Sequence, residues 1–202
     1  MIKSRKILIF ALVAFALCGN KLAPLSANAE RLASSNVAAP QTKPLKLPLV
    51  SPRIIVKKAE RKLLLYSNNK LVRTYQVGLG LSPVGDKVRQ GDRRTPEGDF
   101  YIFTKNDKSA FYLSLGLSYP SASHAERGLR DGLITRAQYD SIVRALKAKT
   151  GPPQNTKLGG DIYIHGNGAR SDWTWGCVAL ENYDVGELFA AVPVGTPVRI
   201  ER

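Results

Sequence analysis

Between Arg53 and Thr104 the sequence repeatedly rises into a short apolar run and falls back into a turn, and this rhythm restricts the segment to a sheet. Ile54-Ile55-Val56 is a β-branched run. Leu63-Leu64-Leu65-Tyr66 follows a polar turn, and Asn68-Asn69-Lys70 leads into Leu71 to Val77. In that last run Val72, Thr74 and Gln76 alternate with Leu71, Arg73, Tyr75 and Val77, the pattern of a half-exposed strand. A polar loop over 85–98 ends in Thr95-Pro96-Glu97-Gly98, a turn signal, and Asp99 to Thr104 resumes a strand. Gly78-Leu79-Gly80 is not a dinucleotide loop, because no third glycine falls at the required place and no helical pattern follows.

Helices interrupt this pattern rather than organise it. Thr135 to Gln138 has the form of a capping box, and Tyr139, Ile142, Val143 and Leu146 then recur on one helical face. Gly151-Pro152-Pro153 stops that helix. A shorter helix is expected from Asn182, burying Val185, Leu188, Phe189 and Val192, and Pro197 to Ile200 closes the chain as a strand. His124 is expected at a helix start on the surface. Ser118 and Tyr119 are read equally well as cleft-lining or as the end of a core strand. The fold class is therefore mainly β with inserted helices, and a chain of 202 residues holds one such domain plus a leader and a tail.

The leader is legible. Lys3, Arg5 and Lys6 precede the apolar run Ile7 to Leu17, and Ala27-Asn28-Ala29 has the small-x-small form of a cleavage site. Residues 1–29 are thus expected to be an export signal, with an uncleaved anchor as the alternative. The protein would work in the periplasm or cell envelope, with no membrane span in its mature form. Residues 30–51, carrying Pro40, Pro44 and Pro48, are expected to be an extended linker, and 52–202 the catalytic domain.

Four of the positive charges belong to that leader, which leaves +10 of the chain's formal +14 on the remainder. Such a field favours polyanions, whether nucleic acid, anionic lipid or the acidic polymers of an envelope, although solubility alone would explain it equally. No basic-aromatic motif of the kind that reads bases is present, and no nucleic-acid partner is expected. Export also changes the count of cysteines. If Cys18 leaves with the signal, Cys177 is solitary, and a lone thiol in an oxidising compartment is either a buried core residue or one retained for reactivity.

The neighbours of Cys177 bear on that choice. Ile162-Tyr163-Ile164 delivers His165 to the start of a glycine-rich loop, and Cys177 stands just before Val178-Ala179-Leu180, so strand, loop and strand would bring imidazole and thiol together. A free thiol has a pKa of about 8.5 and needs a base to take its proton. The Gly166 carbonyl is a candidate to orient the ring. Gly176 would let the chain turn so that amides around Cys177 face a developing oxyanion. From the pattern alone, a loop histidine beside a buried cysteine fits as well. One cysteine and two histidines are too few soft ligands at finger-like spacing for zinc, so no metal and no other cofactor is expected.

Through these residues the chain resembles the L,D-transpeptidase (YkuD-like) family. The match runs from His165-Gly166 to Thr174-Trp175-Gly176-Cys177, and extends to Ile54–Gly80, the Gly91-Asp92 and Thr95–Gly98 loop, Leu117–Pro120 and Leu158-Gly159-Gly160. It covers about Pro52 to Arg202 and is similar to the subset with an Asp-Trp-Thr-x-Gly-Cys signature, here Asp172 to Cys177. Trp175 and Ala179 stand where many members carry His and Arg. The resemblance implies a β-sandwich catalytic domain in which Cys177 attacks the diamino-acid carbonyl of a peptidoglycan stem peptide. D-alanine leaves, and an amine of another stem, or of a wall-attached protein, resolves the thioester. His165 would be the base. Thr174, Trp175 and Asp172 are read equally well as ordering the loop or as binding substrate, Tyr119 is a further candidate for substrate binding, and carbapenem-type β-lactams are the expected inhibitors. A hydrolase trimming the same peptides, and a non-catalytic wall-binding domain, are the competing readings.

Overall fold

A computed structural model describes residues 43–202 of the chain. The export signal and most of the linker expected from the sequence lie outside the described residues. Among the described residues eight strands form one sheet in the order β3-β2-β1-β8-β4-β5-β6-β7, with three helices inserted. The apolar runs become β1 (Arg53–Lys57), β2 (Lys62–Ser67) and β3 (Lys70–Gln76), an antiparallel meander. The closing strand β8 (Pro197–Glu201) inserts parallel to β1.

The bend that makes two layers from one sheet lies in β4 (Gly98–Ser109). Its first residues, Gly98 to Tyr101, pair with β8, while Ile102 to Ser109 pair with β5 (Tyr112–Leu117), and the register slips between Ile102 and Thr104. A bulge there turns the strand from one layer into the other. The chain beyond β3 completes the curl. Gly78 bridges Ala179 and Gly80 bridges Thr174, so the meander's far end meets the segment around Cys177.

Between the layers lies the main core, built from alternate residues of the strands, among them Ile54, Val56, Leu63, Leu65, Ile102, Leu115, Ile164 and Val178. The third helix, α3 (Asn182–Ala191), packs Val185 and Leu188 on it, as their spacing predicts. Between β5 and β6 the chain leaves the sheet to form α1 (Ala122–Arg130) and α2 (Arg136–Lys147), which share a smaller core of Ala125, Ile134, Ile142 and Leu158. The capping box at Thr135 and Gln138 is formed in both directions.

Two expectations are corrected here. His124 does begin a helix, but its side chain is 1% exposed, held between Ser121 Oγ (2.6 Å) and Asp86 Oδ1 (3.0 Å). The linker also joins the domain before its expected end: Leu45 and Leu49 pack on the main core, and the Lys43 carbonyl accepts a hydrogen bond from Arg73. Among the described residues no helix is long and apolar enough to cross a membrane.

Candidate active site

The strand-loop-strand expected around His165 and Cys177 forms, but as a parallel pair rather than a hairpin. β6 (Tyr163–His165) lies beside β7 (Val178–Ala179), with Ile164 opposite Val178 and His165 opposite Ala179. One step back along this register stands Cys177 beside Tyr163, whose amide donates to Cys177 Sγ at 3.4 Å. Side chains alternate along strands, so Cys177 and His165 project from the same face of neighbouring strands, two positions apart.

The imidazole is held firmly. His165 is 2% exposed, and its Nδ1 lies 2.8 Å from the Gly166 carbonyl. That carbonyl accepts the Nδ1 proton, which leaves Nε2 as the basic nitrogen. The ring of Phe111 lies 4.6 Å from that of His165 at 31°, and Trp173 meets it edge-on at 5.5 Å. Burial lowers the His165 pKa from its ordinary value, against the hydrogen bond to Gly166, which raises it.

Cys177 is a free, partly exposed thiol that donates to the Asp161 carbonyl at 3.4 Å. Burial pushes its pKa up to about 11, and the Tyr163 amide opposes that shift. Both groups are therefore neutral at rest. The arrangement supplies a thiol with a neutral base on the same sheet face, rather than a preformed thiolate-imidazolium pair.

The loop between them is ordered by Asp172 and Thr174, the first of the two roles their sequence left open. Asp172 receives Arg61 Nη2 at 2.6 Å and Nε at 3.0 Å, and its Oδ1 accepts the Leu79 amide at 2.9 Å. Thr174, 3% exposed, donates to the Cys177 carbonyl at 2.8 Å and accepts the Gly176 amide at 3.1 Å. The Gly176 amide is thus committed inside the loop, and of the backbone amides around Cys177 it is not one left free to face an oxyanion. Gly176 instead serves close approach: its φ is +133°, and a Cβ there would come within 2.7 Å of the Arg94 carbonyl. Tyr119 takes the core place of its two expected readings, which corrects its candidacy for substrate binding. It is fully buried, with its hydroxyl donating to the Leu158 carbonyl, and presents no surface to a substrate. Trp175, by contrast, is 70% exposed. Arg61, Phe111, Asp161 and Tyr163 carry no sequence motif, and only the pairing of strands brings them here.

An open depression of about 450 Å³ lies on the loop, lined by Asn167, Arg170, Trp173 and Asn182 among others but by neither Cys177 nor His165. No group of three or more His, Cys, Asp or Glu among the described residues is placed to hold a metal ion.

The description of one protein family, "YkuD: L,D-transpeptidase catalytic domain", fits residues 51–200, and the chain belongs to that family. No curated protein matches it. Among solved structures it is similar to a mutant of the helical cell shape determining protein Pgp2 of Campylobacter jejuni, at 21% identity and a TM-score of 0.51, over 76% of this chain and 48% of that one. It is also similar to an L,D-transpeptidase of Xylanimonas cellulosilytica (16% identity, TM-score 0.46, 79% of this chain and 64% of that one). A third is the L,D-transpeptidase LdtMt1 in complex with imipenem (15% identity, TM-score 0.44, 75% and 59%). The chain thus spans about half to two thirds of the length of these relatives.

Proposed function

We propose that the protein is an exported L,D-transpeptidase that remodels peptidoglycan stem peptides through a thioester on Cys177. The observation that carries this reading is the placement of Cys177 and a neutral, oriented His165 on one face of paired parallel strands, inside a domain of this family. Export rests on the basic, apolar and small-residue pattern of residues 1–29.

Cys177 Sγ attacks the carbonyl of the third, diamino-acid residue as His165 Nε2 takes the thiol proton. The resulting oxyanion faces backbone donors near Cys177. The Gly176 amide is taken by Thr174, so the amide of Cys177 itself is the donor we assign. Collapse breaks the bond to D-alanine, whose nitrogen receives the proton from His165, and leaves the thioester. An acceptor amine then attacks the thioester carbonyl and gives a proton to His165. The second tetrahedral species expels the Cys177 sulfur, which regains that proton. Water in the acceptor's place would yield a trimmed tripeptide.

The test is to supply a tetrapeptide stem with an amine acceptor and follow the products by mass. A cross-linked product with release of D-alanine supports transpeptidation, and tripeptide alone establishes the hydrolase. If neither forms under conditions where the stem still binds, the protein is a wall-binding domain and the proposal fails.

A further inference from the structure

The loop before β4 is built around one carboxylate. Asp92 accepts the amides of Val88 (2.7 Å), Arg89 (3.1 Å) and Arg94 (3.1 Å), and an ion pair from Lys87 at 2.8 Å. This clasp carries Arg93 in the left-handed region, at φ +57°. The Arg93 carbonyl accepts the Ser82 amide at 3.0 Å and lies 2.2 Å from where a Cβ on Gly80 would stand. The Gly176 Cα lies 3.2 Å from that same point. Arg93 is thereby fixed against the residue preceding Cys177.

Its guanidinium lies 5.2 Å from the centre of the Trp175 ring, and Trp175 is exposed two positions before Cys177. Arg61, Arg73, Arg127 and Arg199 each pair with a carboxylate. Arg93, like Arg53, Arg89, Arg94 and Arg144, makes no ion pair with any described residue, and of these it is the one laid on Trp175. A guanidinium laid on an indole keeps the N–H groups of its edge, the fork that receives a carboxylate bidentately.

We propose that Arg93, held on Trp175, is a carboxylate receptor at the mouth of the site, and that it binds the terminal carboxylate of the donor peptide's leaving residue. This rests on the transpeptidase reading above. The group recognised stands one residue beyond the attacked carbonyl, and Trp175 stands two positions before Cys177. The receptor selects donors whose chain ends at that residue, and so confines the enzyme to a free C-terminus.

The test compares a tetrapeptide donor ending in a free carboxylate with its C-terminal carboxamide. The wild-type protein should prefer the acid in kcat/KM by about tenfold or more, the range of a charge-assisted hydrogen bond. Arg93→Gln should bring that preference to about one, and Arg93→Lys, which lacks the fork, should fall between. Alkylation of Cys177 by neutral iodoacetamide at the wild-type rate shows that each variant is folded around the site. Retention of the full preference in Arg93→Gln would overturn the receptor. Wild-type protein inert to both peptides would sink the transpeptidase reading instead. In that case binding of acid over amide by Cys177→Ala protein, lost on adding Arg93→Gln, still reads the receptor, and equal binding of the two peptides refutes it.

Discussion

At the scale of single residues, the protonation of the resting site determines how the enzyme should respond to pH. Burial raises the Cys177 thiol and lowers His165, so the pair rests as thiol and imidazole. A group whose folded pKa is lowered stays neutral to more acidic pH. The acid limb of kcat/KM should therefore fall below the ~6.5 of an unperturbed imidazole. Phe111 covers the ring at 4.6 Å, and Phe111→Ala admits water and should move that limb upward. The rate of iodoacetamide alkylation should keep climbing above pH 9, and a plateau by pH 7 would show a preformed thiolate and refute the neutral resting pair. Cys177 and His165, the pair proposed to react, were singled out in the sequence, the pattern alone leaving a structural reading open and the family resemblance favouring the reactive one. The roles of their neighbours were legible only as alternatives. Asp172 and Thr174 have the polarity of substrate ligands, and only the fold shows that Arg61, Leu79, Gly176 and Cys177 use that polarity up.

Among the elements, the loop from β6 to β7 is the one whose order the chemistry needs. The contact of Asp172 with Arg61 ties that loop to the turn between β1 and β2, so the meander braces the catalytic loop. Asp172→Ala removes this charge-assisted contact and leaves the Leu79 amide without its acceptor. It should cost about 2 kcal/mol of stability and lower kcat, read by thermal unfolding and turnover. The strands of the meander and the capped helix α2 follow from period and capping, and they form where expected. The second half of β4 and the whole of β5 were not expected as strands. Lys105 to Ala110 is a polar run without alternation, and it becomes a projecting hairpin only because Ile102 to Thr104 carries the chain into the second layer. The glycines of Gly78-Leu79-Gly80 likewise have no phosphate to cradle. They admit the carbonyls of Ser171 and Arg93, close approaches between segments far apart in sequence.

For the molecule as a whole, two seams hold the insertion and the tail to the sheet. Burial works against ionisation of Asp86, yet His124, the Glu97 amide and Arg127 hold its carboxyl well below the usual range. A carboxyl lowered in this way stabilises the fold above its unfolded pKa of about 3.9, and that stability is lost as pH falls through the folded value. Asp86→Asn should lower the melting temperature at pH 7 and reduce its fall between about pH 4 and pH 2. The second seam is the docked tail. A chain beginning at Pro52 lacks the packing of Leu45 and Leu49, and should be less stable than one beginning at Lys43 by about 2–4 kcal/mol. Equal melting temperatures would show that the tail contributes nothing.

Whether Cys177 is the acylated nucleophile can be read by intact mass spectrometry of the protein after incubation with imipenem. A one-to-one adduct should form that maps to the peptide holding Cys177, is absent from Cys177→Ala, and is slowed by His165→Ala. An adduct of the same stoichiometry on Cys177→Ala, with peptide turnover intact, would contradict it.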